Sequence, residues 1–202
     1  PYFDDMPEPQ GVNIRNKEIE ELPWGGKFAF YWCIVGGAID NRYATAIKKG
    51  IMHEMTEGPL TGSNCQNIRV CIYDGKMHAV DSNDISFQLA ASHAFKMAFN
   101  EAKPQLLEPY YHLEVLCEDN HTGDVMGDLQ TRRAIIQGMD TEGHYQKIIA
   151  EVPLAELKDY GSSLRSLTQG KAKFKLEFSN YQLVPSHIQE NLVISNALLS
   201  EV

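Results

Sequence analysis

Tyr111-His112-Leu113-Glu114-Val115-Leu116-Cys117 sets apolar side chains at 113, 115 and 117 against alternate neighbours, the period-two pattern of a strand with one buried face. Reading onward, Thr122 caps a helix that carries Val125, Met126 and Leu129. Asp124 stands in its first turn and Arg132-Arg133 in its last, charges that complement the helix dipole at both ends. Ala134 to Met139, a turn at Thr141-Glu142-Gly143, and Tyr145 to Val152 form a hairpin. Leu154 to Leu167 reads as helix in two pieces, interrupted near Gly161. Phe174, Leu176 and Phe178 then alternate with Lys173, Lys175 and Glu177 as a fourth strand. The order βαββαβ is the split-βαβ, ferredoxin-like arrangement, which predicts four antiparallel strands with both helices on one face. After Pro185, the positions Ile188, Leu192, Ser195 and Leu199 mark a final amphipathic helix.

Upstream, the first 27 residues are rich in Pro, Glu, Asn and Gly and read as an irregular lead-in, cut from a longer polypeptide because it opens on Pro1. Phe28 to Val35 is a continuous apolar run that suits a buried strand, broken by Gly36-Gly37. A helix begins at Asp40, repeats Ile47, Ile51 and Met55, and stops at Gly58-Pro59. Ile68, Val70 and Ile72 alternate with Arg69 and Cys71 as a strand, and Asp74-Gly75 turns the chain. Lys76 to Val80 is read as a second strand or loop. Asp81 or Ser82 is expected to cap a helix with Phe87, Ala91, Ala94, Ala98 and Ala102 on one side. The first half thus reads strand, helix, strand, strand, helix.

Composition narrows the function. With 18 basic and 27 acidic residues the chain carries −9, which excludes a protein that simply coats nucleic acid or an anionic membrane. The eight-residue run from Phe28 to Val35 is far short of the roughly 20 residues needed to span a bilayer. No charged-then-apolar leader opens the sequence, so neither secretion nor anchoring is expected. Cys33, Cys65, Cys71 and Cys117 have neither zinc-ribbon nor finger spacing and read as buried thiols of a cytosolic protein, with no metal site.

The usual catalytic signatures fail one by one. None of Gly26-Lys27, Gly75-Lys76 and Gly170-Lys171 has a glycine five residues earlier or a following Ser or Thr, so no phosphate loop is present. Gly-x-Ser-x-Gly and His-x-x-x-His do not occur. Gly26-Lys27-Phe28-Ala29-Phe30-Tyr31 faintly echoes the aromatic strand of an RNA-recognition motif, but its leading pair is inverted and a plain buried strand is the preferred reading. His78, between a turn and a helix cap, should lie at one end of its domain. Leu164 to Gly170 reads as a helix end with a glycine stop. Lys171, Lys173 and Lys175 form a local basic stripe, a solvated face that is able to meet RNA phosphates.

At these residues the sequence resembles the C-terminal part of the elongation factor G family. The resemblance is carried by Ile34-Val35-Gly36-Gly37, by Tyr73-Asp74-Gly75 through His78 to Val80-Asp81-Ser82, and by Leu107-Glu108-Pro109. It continues in Gly123-Asp124-Val125-Met126-Gly127-Asp128-Leu129 with Arg132-Arg133, in Val152-Pro153-Leu154, and in Leu164-Arg165-Ser166 with Thr168-Gln169-Gly170. It implies an α+β chain of two domains. Residues 1–108 would be an N-terminally truncated domain IV, similar to the second domain of ribosomal protein S5; 109–185 would be the ferredoxin-like domain V, and 186–202 a terminal helix. Asp40 and Lys171 stand where the family usually has Pro and Arg, and the stretch from Pro7 to Glu21 resembles an insertion, which brings a divergent paralogue within reach.

The family's fourth domain is a tRNA-shaped finger that enters the ribosomal decoding site, so an acidic chain with only local polar tips is intelligible. The resemblance implies that Lys76, His78, Ala79, Val80, Asp81 and Ser82 form a tip beside mRNA and peptidyl-tRNA. It implies contacts to 16S and 23S rRNA, with Arg132, Arg133 and Lys171 as candidates on the large subunit. No catalysis or cofactor is expected in this stretch. GTP and magnesium would belong to a G domain upstream, and the cytoplasm would be the compartment. The alternative implied is a ribosomal protection factor of the tetracycline type, or another paralogue.

Overall fold

The computed structural model describes residues 3–200 and contains two compact units. Residues up to Pro104, with those from Asn191 on, form the first; Gln105–Glu190 form the second. The boundary expected at 108 moves to Pro104, because the first strand of the second unit already begins at Leu107 and pairs there with Leu183. The helix expected at 186–202 is present over Ser186–Ser200, and the division between the units falls within it at Glu190/Asn191. Pro1, Tyr2, Glu201 and Val202, which end those expected domains, lie outside the described residues.

The first unit runs β1 (Asn16–Glu21), β2 (Lys27–Trp32), α1 (Ala44–Glu57), β3 (Ile68–Ile72) and α2 (Asp84–Glu101). The lead-in is therefore not wholly irregular. β1 pairs antiparallel with β2, and β2 pairs parallel with β3, giving the order β1-β2-β3. Phe28, Phe30 and Trp32 of β2 point to the helices, where they join Ile47, Ile51 and Met55 of α1 and Phe87, Ala91 and Phe95 of α2. Tyr43, in the turn before α1, stacks on Phe87 at 4.3 Å between ring centroids. The stripe expected on α2 is corrected: Ala94 and Ala98 are exposed, and Phe95 takes the inward position. Its cap is Asn83 rather than Asp81 or Ser82, because Asn83 and Ser86 satisfy each other's backbone N–H in a reciprocal capping box. Lys76 to Val80 is loop, so the observed order is strand, strand, helix, strand, helix.

The second unit runs β4 (Leu107–Glu118), α3 (Thr122–Thr131), β5 (Ile135–Glu142), β6 (Tyr145–Pro153), α4 (Tyr160–Leu167) and β7 (Lys173–Leu183), and α5 (Ser186–Ser200) follows. All pairings are antiparallel in the order β5-β6-β4-β7. Counted within the unit this is second-third-first-fourth, the ferredoxin-like order. Leu113, Val115 and Cys117 face Ile148, Ala150 and Val152, and Val125, Leu129, Tyr160 and Leu164 of the two helices close over them. Each large apolar side chain fully buried there contributes about 1.5–3 kcal/mol, against about 0–1 for an exposed ion pair, so this core dominates the stability.

Three local details differ from the sequence reading. Thr122 is the first residue of α3 rather than its cap, since Asp119–His121 form a 3-10 turn before it. The break between the helical pieces falls at Asp159, in the left-handed region at φ 59°, not at Gly161. On α5, Leu192 and Leu199 are exposed rather than buried along an inward stripe.

Candidate functional site

The loop between β3 and α2 is closed by its own hydrogen bonds. Asp74 Oδ1 accepts from the Gly75 N–H at 2.7 Å, and Ser82 Oγ accepts from the His78 N–H at 2.8 Å. The Ser82 N–H donates back to the His78 carbonyl at 3.3 Å. The loop is also tied below: the Tyr43 hydroxyl donates to the Ser82 carbonyl at 3.0 Å, and Arg42 donates to that hydroxyl at 2.7 Å. A Cβ on Gly75 would stand 2.3 Å from Cδ1 of Ile39, so glycine lets this loop close against the one after Gly36-Gly37.

His78 sits at the outer end. Its Nδ1 lies 2.8 Å from Asp81 Oδ2, and the two side chains are 69% and 78% exposed. An Nδ1–H donated to the carboxylate leaves Nε2 as an acceptor, and protonation turns it into a second donor. Lys76, Ala79 and Val80 are exposed beside it, and Ser82 is half-buried beneath. All six residues expected at the tip thus share one loop. The run read as a buried strand from Phe28 to Val35 is corrected: β2 ends at Trp32 and Val35 is exposed beside Gly36, as is Tyr73 at the root of the loop.

The three residues expected at an RNA surface fare differently. Arg132 donates to Asp128 at 2.8 Å, to the Glu156 carbonyl at 2.7 Å and to Ser163 Oγ at 2.9 Å, and its guanidinium lies 5.1 Å from the Tyr160 ring centre. Arg133 grips Glu108 with both terminal nitrogens at 2.7 and 2.9 Å and gives Nε to Glu156 at 2.8 Å. Those bonds, Glu108 first, raise the Arg133 pKa further above its ordinary value while burial opposes them. The pair therefore fastens the end of α3 internally, with every nitrogen of both guanidiniums holding at least one protein partner. Lys171 stands apart from them, half-exposed, with Glu118 at 3.1 Å.

All four thiols are free. Burial pushes the Cys65 thiol up to about 11. Below that value the thiolate fraction rises tenfold per pH unit, so iodoacetamide should label Cys65 slowly at neutral pH and about tenfold faster for each unit between roughly 7 and 10. Peptide mapping checks this; rapid labelling of Cys65 at neutral pH would contradict the burial.

The elongation factor G domain IV model matches residues 15–103, and the elongation factor G C-terminus model matches 105–192. Elongation factor G of Aquifex pyrophilus is 45% identical over 87% of this chain and 25% of its own length. An elongation factor G-like protein of Thermotoga maritima is 42% identical over 87% of the chain and 26% of its own length. A crystal structure of a Thermus thermophilus protein superposes with a TM-score of 0.72 and 39% identity, covering 90% of this chain and 30% of that one. The two family models, matched in this order over the two units, define the domain IV and C-terminal part of an elongation factor. The chain belongs to the elongation factor G family and spans about a quarter of the length of the curated relatives it matches.

Proposed function

We propose that this chain is the ribosome-binding C-terminal part of a translational GTPase, and that it promotes movement of tRNA and mRNA by inserting the β3–α2 loop into the decoding site. The observation that carries this reading is a self-closed, exposed loop presenting His78 with its tautomer set by Asp81. An imidazole so held donates to or accepts from phosphate and 2′-hydroxyl groups of mRNA or peptidyl-tRNA, and it makes or breaks no covalent bond. The −9 charge disfavours loose binding over the whole surface, so contact with 16S and 23S rRNA rests on local sites such as this loop. Lys171, with two N–H groups to spare beyond Glu118, remains the candidate on the large subunit; catalysis, GTP and magnesium belong to a G domain elsewhere in the parent protein, working in the cytoplasm.

The test is single-turnover translocation by the intact factor carrying His78→Ala. Loss of one hydrogen bond worth about 1–1.5 kcal/mol should slow translocation about tenfold. The urea midpoint should be unchanged, because the side chain is exposed. An unaltered rate removes this reading, and release of tetracycline without translocation would replace it with ribosomal protection.

A further inference from the structure

Residues 3–14 lie across the face of the first unit's sheet that turns away from the helices. Phe3 is buried there at 6% exposure, and Met6, Val12 and Ile14 pack with it over Ala29, Tyr31 and Cys33. This strap covers more than apolar surface. Tyr31, at the centre of the middle strand, has Lys17 of β1 and Cys71 of β3 as its register partners. The Lys17 ammonium lies 5.0 Å and the Arg69 guanidinium 5.2 Å from the Tyr31 ring centre, and Lys27 stands four residues before Tyr31 on the same face of β2, opposite Glu21.

The strap meets these cations unevenly. Glu8 pairs with Lys17 at 2.7 Å and Asp4 with Lys27 at 2.9 Å, both pairs being substantially exposed. Arg69 hydrogen-bonds only backbone oxygens of the strap among the described residues: its terminal nitrogens donate to the carbonyls of Pro7 and Met6, its Nε is buried without a hydrogen-bond partner, and the Glu8 carboxylate acts on it through space. A guanidinium whose hydrogen bonds go to neutral carbonyls and whose Nε is idle keeps a donor for a phosphate oxygen, which it binds more strongly than a carbonyl. An aromatic ring on a sheet, flanked by cations from the neighbouring strands, is the arrangement on which single-stranded nucleic acid is held, with a base on the ring and phosphates on the cations.

We infer that this sheet face is a binding site for single-stranded RNA that the chain keeps closed with its own acidic strap. Tyr31 is the stacking platform; Lys17, Lys27 and Arg69 take phosphates; Asp4 and Glu8 occupy phosphate positions until RNA displaces them. The site is distinct from the His78 loop and stands or falls without it. Exposed ion pairs hold weakly, so Phe3, the most buried of the strap's apolar side chains among the described residues, contributes most to keeping the strap down.

The test compares the unaltered chain with a Phe3→Ser/Asp4→Asn/Glu8→Gln variant, using a short fluorescent oligouridylate and anisotropy. The variant should bind about tenfold or more tighter, with a log–log salt slope of about −2 for three cations. Adding Lys17→Gln and Arg69→Gln should return affinity to that of the unaltered chain. A folded variant that binds no tighter overturns the inference. So does one that prefers an added peptide of residues 3–14 to RNA, which would make the face a peptide groove. The unaltered chain gives a second reading that does not depend on the variant folding. Saturating oligouridylate should speed thermolysin cleavage within residues 3–14 several-fold, and an unchanged cleavage rate also overturns the inference.

Discussion

Replacing Arg133 with methionine is expected to lower the stability of the second unit by about 3–5 kcal/mol, the cost of stranding a buried charge. Glu108 is only 8% exposed, and its carboxylate is held by both terminal nitrogens of Arg133. Without the guanidinium, that carboxylate stays in β4 beside Tyr110, whose hydroxyl pKa burial already raises, with the Glu108 charge adding to the effect. Glu156 loses its partner as well. Arg133→Lys keeps the charge but not the two-pronged geometry and should cost less. The double variant Glu108→Leu/Arg133→Met should recover most of the loss, since apolar replacement of a whole buried pair is often neutral. Urea unfolding, followed through the second unit's own transition, checks all three. If the single variant melts where the parent does, the network is ornamental.

The second large effect concerns Gly50. A Cβ there would lie 2.1 Å from the Gln88 carbonyl oxygen on the backbone of α2, too close for any side chain. Gly50→Leu must part α1 from α2 and loosen Ile47 and Ile51 against Phe87 and Ala91, at a cost of about 3 kcal/mol. Gly50→Ala recovers up to about 1 kcal/mol of helix propensity and should be milder. Gly127 supplies the control. It is also helical, but nothing lies within 4 Å of its would-be Cβ, so Gly127→Ala should stabilise α3 by about 1 kcal/mol. The same substitution is thus expected to have opposite signs at the two sites. Equal shifts would mean that α1 and α2 are not in backbone contact.

How far the fold was legible depended on how it buries its side chains. The second unit's strands alternate apolar and polar residues because one face meets two helices and the other meets solvent, and that alternation is visible in a single sequence. β1 was not visible. Asn16-Lys17-Glu18-Ile19-Glu20-Glu21 has no apolar face; an edge ladder and the ion pairs of Lys48 with Glu18 and Glu20 hold it. On α2, alanines disguised the inward stripe, whereas aromatic residues at 87 and 95, with far more area to hide, decide the rotation of the helix. His78 was placeable because a turn and a cap bracket it. The partners of Arg133 were not, since Glu108 and Glu156 stand 25 and 23 residues away and only the folded sheet brings them in.

The reciprocal cap of Asn83 and Ser86 has a mechanical consequence. It joins the loop to the first turn of an 18-residue helix, a rod of about 27 Å, with no slack residue between them. A thrust delivered at His78 therefore passes into the rod through its braced end and spreads along the seam where α2 lies on α1, where Gly50 permits the tightest fit. Slackening that junction would convert a strut into a hinge while leaving every side chain of the loop in place.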